Sequence, residues 1–493
     1  MASKRDLVEA HAFSRRRLVT AFVSGAPGGR EVEPPRPGRT MVGGVALAVL
    51  LVAGAAITGI FTDAAPADWT QPGLVISKET GTPYVIVDEG DDPEVHPVIN
   101  ITSAQLILGP DASSPRVIAE DTINEQPLGD ELGILGAPSE MPGQDRLVQT
   151  GWTSCMAAGL RMATSIAEDP SVSAASSSPA SYGWTVRTKD DGGSTYWVVA
   201  ETTIDGVAQA LRYQLPAQRG QADAVLSALG LTATGSALDV RPDWLALFPR
   251  GGDLDASSFA VPGFGEPVPD VSGASVGQYV VGADGTPYGL SAGGPFRLDP
   301  FAYAVYTNSV FPTRKGSGLP QKSSLADRPD QPEAVGVYSD ARWPTTTLTP
   351  GDGEACAQLA TSDAASVTRL VADPTGDASA SGLNAGGTSV MVERGRAAYV
   401  ATGPSTSFAV DGTGRADVLV GSDVAAQFGW TDAPPQVSDA WIEILDPGVP
   451  LSREAALCPP AAPDSGSQGG GSGSTSTASV ATVASTAGGG TCG

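Results

Sequence analysis

MVGGVALAVLLVAGAAITGIF, from Met41 to Phe61, runs for 21 residues without a charge. A helix of that length, at about 1.5 Å rise per residue, spans roughly 30 Å, the thickness of a bilayer's hydrocarbon core. The stretch therefore predicts one transmembrane helix over 41–61. Arg36 and Arg39 precede it, and Asp63 and Asp68 follow it. Residues 1–40 carry eight Lys or Arg, among them Arg15, Arg16 and Arg17, against four acids. That excess of cations predicts a cytoplasmic N-terminus and an exported body, a single-pass arrangement in the plasma membrane. A cleaved signal peptide is the rival reading, suggested by Ala64-Ala65-Pro66-Ala67 and by the twin-arginine look of Ser14-Arg15-Arg16-Arg17-Leu18. It fits less well, because an h-region is usually about 7–15 residues and the arginines here stand more than twenty residues from the apolar run.

Small residues at Gly44/Ala48 and Ala55/Gly59 stand four apart, a spacing that allows close helix packing and that arises easily in an Ala/Gly-rich segment. Upstream, Leu18, Val19, Phe22 and Val23 recur beside Arg15, Arg16 and Arg17 as in a basic amphipathic helix. Such a helix can rest on anionic headgroups, dock on a partner, or serve only to orient the chain.

Beyond the span the balance reverses. The 493-residue chain has a net charge of -25, and residues 41–493 hold 21 basic and 50 acidic groups. Nucleic-acid binding, which draws on cations that replace phosphate counterions, is set aside. The 61 glycines and 40 prolines make up about a fifth of the chain, and charged residues only 17%. Helical bundles and long coiled coils are excluded on that composition. All four cysteines, Cys155, Cys356, Cys458 and Cys492, follow the span, which places them in an oxidising compartment with at least one disulfide. Three pairings are possible and spacing does not choose among them. Residues 463–493 are almost wholly Gly, Ser, Thr and Ala, a composition that predicts a flexible tail.

Between about residues 70 and 460 the pattern is of short strands broken by Gly/Pro turns, with a few helical stretches. Tyr84-Val85-Ile86-Val87, Tyr196-Trp197-Val198-Val199, Tyr279-Val280-Val281 and Ala398-Tyr399-Val400-Ala401 share one aromatic and β-branched design. Apolar segments accompany them: Thr102 to Leu108, Ala222 to Leu231, Val418 to Phe428 and, less regularly, Pro295 to Leu298. The reading is four divergent copies of a small unit, beginning near residues 78, 192, 275 and 390. Their unequal spacing excludes a solenoid and predicts a central domain threaded by the copies. Leu106, Ile107, Leu108, Val225 and Leu226 are expected as core.

Several stretches resemble one known family. They are Ser3-Lys4-Arg5-Asp6, Arg15-Arg16-Arg17-Leu18-Val19, Arg36-Pro37-Gly38-Arg39, Gly81-Thr82-Pro83-Tyr84 and His96-Pro97-Val98-Ile99-Asn100. Leu132-Gly133-Ile134-Leu135-Gly136-Ala137-Pro138 and Trp152-Thr153-Ser154-Cys155 belong with them. In this order, over residues 2 to about 458, the chain resembles the EccB family, the membrane-anchored core subunit of the type VII (ESX) secretion machinery. The resemblance implies a mainly β or α+β protein: one N-terminal transmembrane helix, then a propeller-like exported domain of four repeats around a central β-rich domain. It implies a disulfide within that central domain, at Cys155 and Cys356 by position. It also implies a scaffold that assembles with EccC, EccD, EccE and the mycosin protease, self-associates, and carries repeats like those of cell-wall-binding modules. The Gly/Ser tail has no counterpart in it, and a Cys458–Cys492 bridge is a guess.

On this reading residues 1–40 form the cytoplasmic segment, 41–61 the span and 62–77 a linker. The repeats cover 78–117, 191–250, 270–315 and 390–430; central-domain pieces cover 118–190, 316–389 and 431–460; the tail covers 461–493.

Chemistry is mostly excluded. Some EccB proteins are described as ATPases, and ATP enters as a cofactor only through that description. A P-loop needs Lys after Gly, yet Lys4, Lys78, Lys189, Lys315 and Lys322 follow Ser, Ser, Thr, Arg and Gln. Pro312-Thr313-Arg314-Lys315-Gly316-Ser317-Gly318 is a cationic Gly-bearing loop, better read as a solvated linker. Gly273-Ala274-Ser275-Val276-Gly277 fits the nucleophile elbow, but the only histidines, His11 and His96, precede it, so it is read as the turn into the Tyr279 strand. One exported His cannot complete a zinc site. Asp88, Glu89, Asp91, Asp92 and Glu94 lack the EF-hand order and read as a solvated hairpin tip. No catalytic, cofactor or metal residue is therefore expected. Three functions compete: a non-catalytic secretion scaffold, which leads; a membrane-anchored peptidoglycan-binding protein; and an ATP hydrolase without a recognisable P-loop.

Overall fold

The structure, a computed structural model, describes residues 8–15, 18, 68–90, 92–169, 182–190, 192–269, 272–314, 316–323, 336–361 and 366–460. The chain divides into two compact units, Met1–Pro66 and Ala67–Gly493. In the first, residues 8–15 are helical, and Val8, Phe13 and Leu18 are exposed. Val19, Phe22 and Val23, the expected span at 41–61 and the tail lie outside the described residues. Among the described residues no helix is long and apolar enough to cross a membrane.

The second unit is mixed α/β and rich in strands. Gly73–Ser77, Pro83–Ile86 and Val95–Pro97 form an antiparallel meander, and the helix Ile101–Leu108 follows it. Asn100 starts this helix by accepting the Ser103 N–H at 2.8 Å. The chain then returns as Arg116–Ile118, parallel to the first strand, and later bridges the third strand at Val95↔Leu128.

The same succession occurs again. Tyr182–Asp190, Gly193–Ile204 and Val207–Gln214 form a meander, followed by helix Arg219–Leu229, return strand Leu238–Asp239 beside the first strand, and Arg250 beside the third. Tyr279–Val281, Pro287–Ser291 and Gly294–Arg297 lead to helix Pro300–Asn308 and a return at Lys322 beside Tyr279. Ala398–Ala401, Ser407–Val410 and Arg415–Leu419 lead to helix Val424–Gln427, a return at Gln436 beside Ala401, and Asp446–Pro447 beside the third strand. In each case three strands bury one face under the helix that follows them, so the meander and its helix are one packing unit.

These successions begin at Gly73, Tyr182, Tyr279 and Ala398, not at the starts read from sequence. The aromatic strands of Tyr84 and Tyr196 are second in their meanders, and those of Tyr279 and Tyr399 are first. Aromatic and β-branched content marks a strand that packs well on its neighbours, whatever its rank. Gly73–Ser77, expected as the end of a linker, is a buried strand, and Val418 to Phe428 is a strand end plus a short helix.

A further sheet lies apart from these, in the order Ser366–Val371, Ala355–Thr361, Thr153–Ala157, Arg161–Ile166, Thr388–Val392. Thr153–Ala157 and Arg161–Ile166 are buried along almost their whole length, and Ala355–Thr361 over its first half. The long sheet of Tyr182–Gln214 has a core on each face, as alternation requires: Trp184, Val186 and Val199 pack with the sheet of Thr153–Ala157, and Val198, Ala200 and Tyr213 pack on helix Arg219–Leu229 and helix Pro300–Asn308. A third core joins the first and last successions through Leu74, Val85, Leu106, Tyr399, Leu419 and Trp430.

Candidate functional site

Thr153–Ala157 and Ala355–Thr361 run antiparallel with Cys155 directly opposite Cys356, their Cα atoms 4.0 Å apart, and the two sulfurs are bonded. Both cysteines are fully buried. The disulfide packs with Val371 and Ala378, while the opposite face of the same strands gathers side chains from distant parts of the body. Trp152, in the sequence signature ending at Cys155, meets Trp441 edge to face at 6.2 Å, and its Nε1 donates to the Val148 carbonyl at 3.1 Å. Trp244 Nε1 donates to the Ser154 carbonyl at 2.9 Å, and Trp441 Nε1 to Thr368 Oγ1 at 3.2 Å. Each indole buries a large apolar surface and satisfies its one donor.

One ion pair joins this sheet to the long sheet. Glu201, 3% exposed along its side chain, accepts Arg369 Nε at 2.6 Å, Arg369 Nη2 at 3.2 Å and the Leu370 N–H at 3.1 Å. A forked guanidinium and a main-chain donor together satisfy both carboxylate oxygens, which is what permits the charge to be buried.

The C-terminal segment is closed on the body by Asp417. Its Oδ1 accepts the Val449 N–H at 2.7 Å, and its Oδ2 is buried with no hydrogen-bond partner among the described residues. Burial above all, with the nearby Asp411 carboxylate adding to it, pushes the Asp417 carboxyl up to about 7; the Val449 N–H and Arg415 oppose this. Gly448 is required there, since a Cβ would stand 2.1 Å from Oδ1.

Other residues singled out in the sequence are placed separately. Arg15 lies in the exposed helical stretch 8–15, and Arg16, Arg17, Arg36 and Arg39 lie outside the described residues. Cys458 follows helix Arg453–Ala456 and its carbonyl accepts the Gly133 N–H at 3.0 Å; Cys492 lies outside the described residues. Ser275 sits in the turn before Tyr279, where its N–H donates to Gln278 Oε1 at 3.0 Å. Arg314 tips a two-stranded hairpin, Phe311–Thr313 with Gly316–Gly318, and pairs with Glu266 at 2.6 Å. Asp88, Glu89, Asp92 and Glu94 are exposed, and His96 Nδ1 lies 3.0 Å from the Asp130 carbonyl oxygen. Among the described residues no group of three or more His, Cys, Asp or Glu is disposed to hold a metal ion. Sequence reasoning passed over Glu201 and Asp417. The signal for Glu201 was present, an acid in the middle of the apolar strand Trp197-Val198-Val199-Ala200-Glu201; that for Asp417 was weaker.

A family model described as "Type VII secretion system ESX-1, transport TM domain B" matches residues 1–462. The protein named ESX-1 secretion system ATPase EccB1 of Mycobacterium tuberculosis is 32% identical over 121 residues, 24% of this chain and 23% of that protein. ESX-2 secretion system ATPase EccB2 of the same species is 28% identical over 232 residues, 43% of this chain and 42% of that protein. The matched stretches thus span about a quarter to two fifths of these relatives. Among solved structures, the EccB3 dimer from the ESX-3 core complex has a TM-score of 0.57 at 22% identity, covering 78% of this chain and 99% of that one. A chain of the intact ESX-5 inner membrane complex has a TM-score of 0.56 at 20% identity, covering 93% and 95%. At these identities the likeness is one of fold.

Proposed function

Because the chain belongs to the EccB family of type VII (ESX) secretion components, we propose that it is a structural subunit of an ESX secretion membrane complex. The observation that carries this reading is the extent of the match, which runs from residue 1 to residue 462 and leaves out only the tail. The likeness of fold over 93% of the chain to a component of an intact inner membrane complex supports it. On this reading residues 1–40 are cytoplasmic, 41–61 span the plasma membrane once, and the body organises the outer face of the channel.

The recurring succession of meander, helix and return strand supports four repeats, set in a propeller-like ring about the disulfide-bonded sheet as central domain. The repeat boundaries then move to the strands that open each meander, at residues 73, 182, 279 and 398. Self-association accords with a similar structure, an EccB3 dimer, and the partners on this reading are those the family resemblance implies, EccC, EccD, EccE and the mycosin protease. The relatives' names attribute ATPase activity to those proteins; for this chain hydrolysis is not proposed, since none of its five lysines follows a glycine.

Gentle detergent extraction of the native membrane, affinity capture through a tag on this chain and mass spectrometry of what is retained test the proposal. Stoichiometric recovery of a motor ATPase and a polytopic channel subunit is expected. Recovery of this chain alone, at monomer size, overturns the scaffold reading and leaves wall binding, tested by sedimentation with insoluble peptidoglycan.

A further inference from the structure

Residues 446–458 lie across two of the successions. Asp446–Pro447 runs parallel to Arg415–Leu419, the third strand of the last meander. Farther on, the Leu451 N–H donates to the Val418 carbonyl at 2.8 Å and the Val420 N–H to the Leu451 carbonyl at 2.9 Å. The same stretch grips the first succession. Helix Arg453–Ala456 packs on helix Ile101–Leu108, and Leu451 and Ala456 share a core with Leu74, Leu106 and Ile107. The Cys458 carbonyl accepts the Gly133 N–H at 3.0 Å. Arg415 reaches both sides, its Nη1 donating to the Gly136 carbonyl and its Nε to the Pro447 carbonyl, each at 3.3 Å. Residues 446–458 are thus a clasp between the last succession and the first.

The clasp crosses directly over one ionisable side chain. Asp417, 1% exposed, receives the Val449 N–H on Oδ1, and among the described residues nothing partners Oδ2. The main chain at Gly448 seals it, leaving no room for a Cβ. Asp411, 5% exposed, has what Asp417 lacks: it accepts the Thr413 N–H at 2.8 Å, Thr413 Oγ1 at 2.7 Å and the Arg415 N–H at 3.0 Å. A buried carboxylate with a single donor is poorly compensated, whereas a neutral carboxyl in the same place forfeits only hydrogen bonds. The charges acting on Asp417 are Asp411, which favours its proton, and Arg415, which opposes it. The clasp itself carries Asp446, in register with Arg415, and farther along Arg453 and Glu454. Strand Ser407–Val410 and the turn at residues 132–137 bring no charge. We propose that residues 446–458 are a pH-responsive clasp, shut while Asp417 keeps its proton and loosened locally when that proton is lost, so that the first succession is freed from the last. With the clasp shut the carboxyl holds its proton up to about pH 7, and with it open, in water, only to the ordinary 3.8. Closure is therefore at full strength below about pH 4, weakens by up to about tenfold per pH unit as pH rises to 7, and levels off above. The inference does not depend on the secretion-scaffold reading.

Hydrogen exchange of the full chain in detergent, read by mass spectrometry and corrected for the intrinsic pH dependence of amide exchange, tests it. Peptides covering 446–458 are compared with those covering the long-sheet strand Gly193–Ile204. The clasp is expected to exchange faster than that strand at every pH, the mark of local opening, and to lose about tenfold or more of its protection between pH 5 and pH 8. Asp417→Asn, neutral at every pH and still an acceptor for the Val449 N–H, is expected to abolish that fall. Asp446→Asn, at an exposed carboxyl on the clasp itself, is expected to keep it. Wild-type protection that does not change from pH 5 to pH 8 overturns the proposal whether or not the variants fold. So does a clasp that exchanges only as fast as the long sheet, which means that it opens with the whole body. A fall that persists in Asp417→Asn, or that vanishes in Asp446→Asn, assigns the pH dependence elsewhere and overturns it as well.

Discussion

Asp417 carries the clearest electrostatic consequence of any residue in the body. Its folded pKa of about 7 lies above the ordinary carboxyl value of 3.8, so the folded state holds the proton more tightly than the unfolded one. The resulting stability is fully present below about pH 4 and is lost as pH rises through 7. Thermal melts at fixed ionic strength are therefore expected to fall between pH 5 and pH 8, and Asp417→Asn to flatten that slope. A slope unchanged in the variant removes Asp417 from the account. Gly133 makes a second prediction at this scale. Its φ is +130°, and a Cβ there would meet Ile99 Cγ1 at 2.7 Å and Ser103 Oγ at 2.9 Å. Gly133→Ala is expected to cost about 1–3 kcal/mol in urea unfolding, since backbone strain and overpacking act together.

Among elements, the strand Ser366–Val371 depends on Glu201 for its link to the long sheet. Glu201→Ala leaves Arg369 next to a cavity with no counter-charge. Arg369 is 27% exposed along its side chain, which reduces the expected cost to about 2–3 kcal/mol. The double variant Glu201→Met/Arg369→Met is expected to recover most of that loss, because no charge is then left unpaired. Urea midpoints of the three variants check this, and a double variant no better than Glu201→Ala shows that packing of the carboxylate, not charge, was lost. Elements were partly legible in the sequence. The apolar segments Thr102 to Leu108 and Ala222 to Leu231 fall mostly within helices, Ile101–Leu108, capped by Asn100, and Arg219–Leu229. Ranking strands within a meander was beyond local composition, because rank is set by which strands pair.

At the scale of the whole molecule the disulfide closes a loop of 201 residues that contains the second and third successions. Loop-closure entropy for that length is worth roughly 5 kcal/mol at most. Cys155→Ala/Cys356→Ala is expected to lower the urea midpoint of the entire body by an amount up to that size. Both sulfurs are buried, so the wild-type bond is expected to resist reduction until the body unfolds, which thiol trapping under native and denaturing conditions measures. A bond reduced rapidly in the native state contradicts this.

Composition and local order suffice to read the long uncharged run at 41–61, the acidic body of short strands and turns, the absence of a lysine-bearing phosphate loop, and the family signatures. Three of the signatures that fall in described residues hold structural positions, a helix cap at Asn100, a constrained turn at Gly133 and a buried indole at Trp152, and each is legible because it is local. Tertiary structure alone decided that Glu201 meets Arg369 across 168 residues, that Asp417 is left half satisfied beneath Val449, and that Arg212 and Arg250 share one indole. The reason is physical. A charge's partner and degree of burial are set by which strands the fold brings together, and no period or propensity along the chain records that pairing.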